Sequence, residues 1–137
     1  MPVVMWGNDL TSAGQQFQMA VERATGSSGL EIYNDPISLQ QRLRRPGLPD
    51  SVAVLVAHTR EDLVIAASLR TFLSEFKVIL VLPDREKATV ALGHSMSPRY
   101  MTYMDSNPAD VAAVLTRMVE FMTDQSPLDE FKRSVPR

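Results

Sequence analysis

Cysteine is absent from the chain, which removes disulfides, thiolate nucleophiles and cysteine-bound zinc together. No apolar run approaches the roughly 18 residues of a membrane span. The opening MPVVMWGND has neither a basic leader nor a long apolar core, so a soluble, unprocessed, cytoplasmic protein with no membrane partner is expected. An excess of either charge is missing too. With 14 basic and 16 acidic side chains the formal net charge is −2, and no overall field would draw nucleic acid. Arg42, Arg44 and Arg45 form a lone basic cluster at the end of a short predicted helix, where a solvated face suits the helix dipole. Glycine-rich phosphate loops of the GxGxxG or Walker type, a GxSxG elbow, and HxH or HExxH spacings are all lacking, so no catalytic residue, cofactor or metal is expected. Thr11 and Ser12 leave only a weak version of a Ser/Thr phosphate loop.

What is present is a single domain's worth of core: 137 residues with 45% hydrophobic content. The stretch 51–84 reads as strand, helix, strand. Val52 to Ala57 and Val78 to Leu82 are continuous apolar runs rich in β-branched residues, the pattern of strands covered on both faces. Between them Thr59 is placed to cap a helix with Asp62 at its third position, and Ile65, Leu69, Phe72 and Phe76 line one face. A crossover of this length allows the two strands to lie parallel.

The same alternation extends in both directions. Pro2 to Trp6 reads as a first strand, followed by a helix with Ala13, Phe17, Ala20, Val21 and Ala24 on one face, opened by Ser12 and Gln15 as a capping box. Leu30 to Tyr33 is a short edge strand. Asn34, Asp35 and Pro36 then start a helix with the stripe Ile37, Leu39 and Leu43, stopped by Pro46, Gly47 and Pro49. After the fourth strand, Arg85 to Leu92 reads as a helix stopped by Gly93, with Asp84 as its cap. Tyr100 to Met104 is a fifth strand, and Asn107, Pro108 and Asp110 open a helix with Val111, Val114, Leu115, Met118 and Met122 on one face. Five strands alternating with five helices imply an α/β fold: a doubly wound, flavodoxin-like three-layer sandwich with a five-stranded parallel sheet of order 2-1-3-4-5. The domain is expected over residues 1–123, with a polar, proline-punctuated tail over 124–137.

In such folds the residues to question lie beyond the carboxyl ends of the strands. These are Asn8 and Asp9, His58 and Thr59, Asp84, and Asp105, with His94 nearby. A histidine and carboxylate site can be drawn from them. Capping outweighs it for Thr59, Asp84 and Asp105, each of which sits where a helix or turn needs a side-chain acceptor. Met5 and Trp6 read as packing, with a pocket wall as the alternative.

In the order, length and spacing of its elements, the chain over roughly residues 2–122 resembles a response-regulator receiver domain. The match puts Gly7 and Asn8, with Asp9 one place late, where that family holds magnesium with two acidic residues. It puts Ala57, or His58 on a slip of one, at the phosphoacceptor aspartate, Leu82 or Pro83 at the hydroxyl residue, and Tyr103 at the lysine. Tyr100 matches the family's rotating aromatic. The resemblance therefore implies a pseudo-receiver: a phosphorylation-independent signalling module acting by protein–protein contact with another signalling protein or with itself as a homodimer. Its contact face would include Lys87, Thr89, Tyr100 and Arg117. The alternative is a small-molecule binding protein or minor enzyme using the pocket around Asp9, His58 and Asp84.

Overall fold

The computed structural model describes residues 3–7, 12–26, 29–44 and 51–124. Its five strands are β1 (Val3–Trp6), β2 (Leu30–Tyr33), β3 (Ser51–Val56), β4 (Phe76–Leu82) and β5 (Tyr100–Tyr103). All pair in parallel, in the order β2-β1-β3-β4-β5. Between and after them run α1 (Ser12–Thr25), α2 (Pro36–Arg44), α3 (Arg60–Ser68), α4 (Lys87–His94) and α5 (Pro108–Asp124). The fold is thus the flavodoxin-like α/β sandwich that the alternation of elements implies.

Strand periodicity splits the core in two. Val3, Met5, Val52, Val54, Val56, Ile79 and Val81 face Phe17 and Val21 of α1 and Val111 and Leu115 of α5. On the other face, Val4, Trp6, Ala53, Leu55, Ala57, Val78, Leu80 and Leu82 meet Leu39 and Leu43 of α2 and Leu63, Ala66 and Ala67 of α3. Six consecutive buried residues in β3 explain why it reads as an uninterrupted apolar run: both of its faces are covered.

Side-chain caps set three of the helix starts. Thr59 accepts the Asp62 N–H at 3.1 Å. Asp35 accepts from the Ser38 N–H at 2.7 Å and from the Ser38 hydroxyl at 2.9 Å, and Asn107 accepts the Ala109 N–H at 3.0 Å. Each satisfies a donor that the helix itself leaves open. The capping box drawn on Ser12 and the helix stop at Pro46, Gly47 and Pro49 fall outside what is described of the chain.

Four sequence expectations need correction. The helical face through Phe76 ends early: α3 closes at Ser68, and Leu69, Arg70, Phe72 and Leu73 donate three residues back, tightening the chain into turns. Phe76 then belongs to β4, paired with Ser51. Ile37 is not part of the α2 stripe but 68% exposed, because it lies two residues from Leu39 and so off the Leu39–Leu43 face. Gly93 does not stop α4 but lies inside it, where a Cβ would stand 2.9 Å from the Met101 sulfur and 3.0 Å from Leu82 Cδ2. A small residue here lets α4 sit close on the sheet.

The fourth correction concerns Arg42, which is buried rather than solvated. Its Nε donates to both Glu31 carboxylate oxygens at 2.9 Å, and the Tyr33 hydroxyl donates to the same carboxylate at 2.8 Å. This pair fastens α2 to the edge strand β2. Arg44 instead lies over the Phe72 ring, 5.3 Å from its centroid. Hydrogen bonds to charged groups contribute about 1.5–3 kcal/mol when partly buried, so Arg42→Ala is expected to lower unfolding free energy by about that amount. Arg44→Ala should lower it by about 1 kcal/mol or less, in parallel urea titrations.

Candidate functional site

The carboxyl ends of β1, β3, β4 and β5 form the edge to which the sequence directs attention. Ladder bonds continue one residue past the strands. Gly7 N–H donates to Tyr33 O at 3.2 Å, Ala57 N–H to Val81 O at 3.0 Å and Met104 N–H to Leu82 O at 2.9 Å. These bonds hold Gly7 and Ala57 in the plane of the sheet. Ala57 is fully buried against the α2 and α3 side of the core. At Gly7 a Cβ would stand 3.0 Å from Val56 Cβ, tighter than side-chain carbons normally pack. Val56 is buried in the sheet and its Cβ is fixed to the backbone, so it cannot turn aside.

Beneath this contact the space is nearly gone. Met5, Gly7, Gly14, Gln18, Ile32, Val56 and His58 enclose about 10 Å³, the size of a single water at most. Trp6, the other residue considered for a pocket wall, is 4% exposed and packs into the α2 and α3 side of the core. Its indole N–H has no hydrogen-bond partner among the described residues.

His58 and Thr59 belong to the start of α3. The His58 backbone N–H donates to Asp62 Oδ2 at 3.1 Å while Thr59 takes the Asp62 N–H, so Asp62 and Thr59 brace the turn reciprocally. Asp62 therefore reaches back to the loop after β3.

Asp84 and Asp105 sit in a charged rim. Asp84 accepts a hydrogen bond from the Thr89 hydroxyl and one from the Glu86 N–H at 2.9 Å, which together hold its carboxyl below the usual range. It is not the cap residue of α4, a position taken by Glu86. Thr89, expected on an exposed face, is fully buried: it accepts from Arg60 Nε at 3.1 Å while serving Asp84. Arg60 also pairs with Glu86, which ties the start of α3 to that of α4. Arg85 lies 4.1 Å over the Tyr103 ring and pairs with Asp105. That hydrogen bond raises the arginine's pKa and lowers the aspartate's.

The edge thus brings together Gly7, Ala57, His58 and Thr59, with Asp84 and Asp105 engaged by their own partners. Asn8 and Asp9 lie outside the described residues. His94 falls in the last turn of α4, exposed, not in a loop at this edge. Among the described residues no three histidine, aspartate or glutamate side chains converge to hold a metal. The magnesium that a receiver resemblance implies finds no carboxylate at Gly7 or Ala57, so the described residues do not fit it.

Both rim aspartates have depressed folded-state values, so their contribution to stability is full above the ordinary value of 3.8 and is lost as pH falls through the lower folded values. An Asp84→Asn/Asp105→Asn variant should show a shallower loss of urea midpoint than the parent in that acid range, converging with it at the lowest pH. Thr59→Ala should lower unfolding free energy by about 1 kcal/mol at neutral pH through loss of the cap.

The chain matches no family model, and no curated protein is similar enough to be matched. Among solved structures, the crystal structure of a response regulator from Thermotoga maritima superposes with a TM-score of 0.56 at 14% sequence identity, covering 88% of this chain and 98% of that one. The likeness is one of fold.

Proposed function

We propose that this protein is a phosphorylation-independent regulatory module of the cytoplasm, acting through contact with another signalling protein or with a second copy of itself. The observation that carries this reading is the lack of a carboxylate at Gly7 and Ala57. A receiver-like scaffold supports signalling only by analogy of fold. What separates this chain from a switched receiver is that Gly7 and Ala57 stand where acyl-phosphate chemistry needs carboxylates, with a cavity of about 10 Å³ beneath Gly7. An acyl phosphate forms only on a carboxylate, and phosphoryl transfer needs positive charge at the developing oxyanions. Asp62, whose carboxylate reaches the loop after β3, is engaged by the His58 N–H.

The contact face we infer lies on α4, β5 and α5. Lys87 and Arg117 are exposed and Tyr100 is half-buried there, whereas buried Thr89 is removed from the set. Small-molecule binding at the strand edge has less support, since the described cavity admits no more than a water.

Incubation with acetyl phosphate and magnesium should leave the intact mass unchanged; addition of one phosphoryl group at a strand-end residue would overturn the reading. Light scattering at micromolar concentration should give the mass of a dimer, reduced to a monomer by Tyr100→Glu or Lys87→Glu. A monomer in the parent protein would remove self-association and leave a different signalling protein as the partner.

A further inference from the structure

At the amino end of β4, the turns after α3 and the loop after α4 enclose an open cavity of about 310 Å³. Leu73, Val78 and Met96 are buried there and Phe76 is half-buried, so the floor is apolar. Arg70, Ser74, Ser95 and Ser97 are exposed and give it a polar rim. Both walls are held by their own backbone bonds. On one side the Arg70 N–H donates to Ala67 O at 3.2 Å and the Phe76 N–H to Leu73 O at 2.9 Å; on the other the Met96 N–H donates to Gly93 O at 3.1 Å and the Ser97 N–H to His94 O at 3.0 Å. The cavity is therefore shaped before anything enters it.

The rim carries donors that the fold itself leaves open. Arg70 has no ion pair, and the Ser74 and Ser97 hydroxyls have no hydrogen bond, among the described residues. The Ser95 hydroxyl differs, since it donates to Leu92 O at 2.6 Å. Apart from glycines, Ser97 is also the one described residue with a positive φ, 51°. Serine is strained in that region, and such strain persists where the surroundings impose it, as they do at many ligand sites. Here the buried Met96 side chain and the bond to His94 impose it.

These features select a ligand class. A single guanidinium fork matches one carboxylate in a bidentate pair, with the free hydroxyls as further donors. A phosphate monoester would bring a second charge to a rim whose described residues hold one cation. The apolar floor suits a hydrocarbon body, and a volume at the lower end of the range for small-molecule sites limits that body to a short one. We propose that this cavity binds a small monocarboxylate carrying a short apolar chain. The proposal goes beyond the regulatory reading and does not depend on it, because the residues it uses belong neither to the strand-end edge nor to the inferred contact face.

The test uses the full chain with its methionine methyl groups labelled with carbon-13, the Met96 signal being assigned by Met96→Leu. Separate arms are titrated with hexanoate, neutral hexanol and inorganic phosphate. Hexanoate should give a saturable shift of the Met96 methyl with a dissociation constant on the order of 1 mM, weakening as salt is raised. Arg70→Gln should weaken it by about tenfold, and Arg70→Lys, which keeps the charge and loses the fork, by a smaller factor. Ser74→Ala and Ser97→Ala should each weaken it by about threefold. Because Arg70 has no ion pair to lose among the described residues, the urea midpoint of Arg70→Gln should match the parent's, which separates lost binding from lost folding. No Met96 shift with hexanoate, an equal shift with hexanol, a tighter response to inorganic phosphate, or an unchanged hexanoate response in Arg70→Gln would each overturn the proposal.

Discussion

Parallel strands lie about 4.8 Å apart, so a residue leaving one strand end meets its neighbour's side chains unless it is small. At the carboxyl end of β1 that residue is Gly7, and the neighbour is Val56 at the end of β3. A β-branched valine held in the sheet cannot swing away, so the space above it is set by glycine's missing Cβ. The cavity shrinks to about 10 Å³, Ala57 fills the next position with a methyl group, and the loop after β3 is braced by Thr59 and Asp62. A doubly wound sheet ordinarily offers a crevice here; among the described residues the space beside Gly7 is about 10 Å³.

The charged groups around that packed edge work as ties between loops. Arg60 joins α3 to α4 through Glu86 and Thr89, and Arg85 covers Tyr103 and holds Asp105. Exposed pairs of this kind contribute about 1 kcal/mol or less each, so they orient the loops more than they stabilise the domain. The stability comes from the two apolar layers, each built from alternate residues of the same strands.

Much of this was legible in the residues. The apolar runs of β3 and β4, the period of α5, and the caps at Asp35, Thr59 and Asn107 are local signals, and local signals fixed the element order and hence the sheet order. Ile37 was missed through local helix phase; the other misses depend on contacts distant in sequence. Phe76 continues a helical spacing and becomes strand because Ser51 is there to pair with it. Arg42 resembles a solvated cation until Glu31, on another element, takes it. Thr89 is polar, and is buried only because Arg60 and Asp84 meet it from two sides. Gly93 has the sequence appearance of a helix stop and is instead a site of close approach to Met101 and Leu82. At the candidate site, the absence of carboxylates at Gly7 and Ala57 was readable, but the closure of the space around Gly7 was not.

Substitution of Gly7 measures how tightly Val56 fills the space beside it. Gly7 has no positive φ that would by itself penalise a side chain, so Gly7→Ala reports the space available. If Val56 seals the edge, equilibrium urea unfolding should show a loss of about 1–3 kcal/mol, the usual range for forcing a methyl group into a filled core. An unchanged midpoint, or the gain of about 0.4–1 kcal/mol that alanine gives where a glycine is unconstrained, would show an open edge and contradict the account.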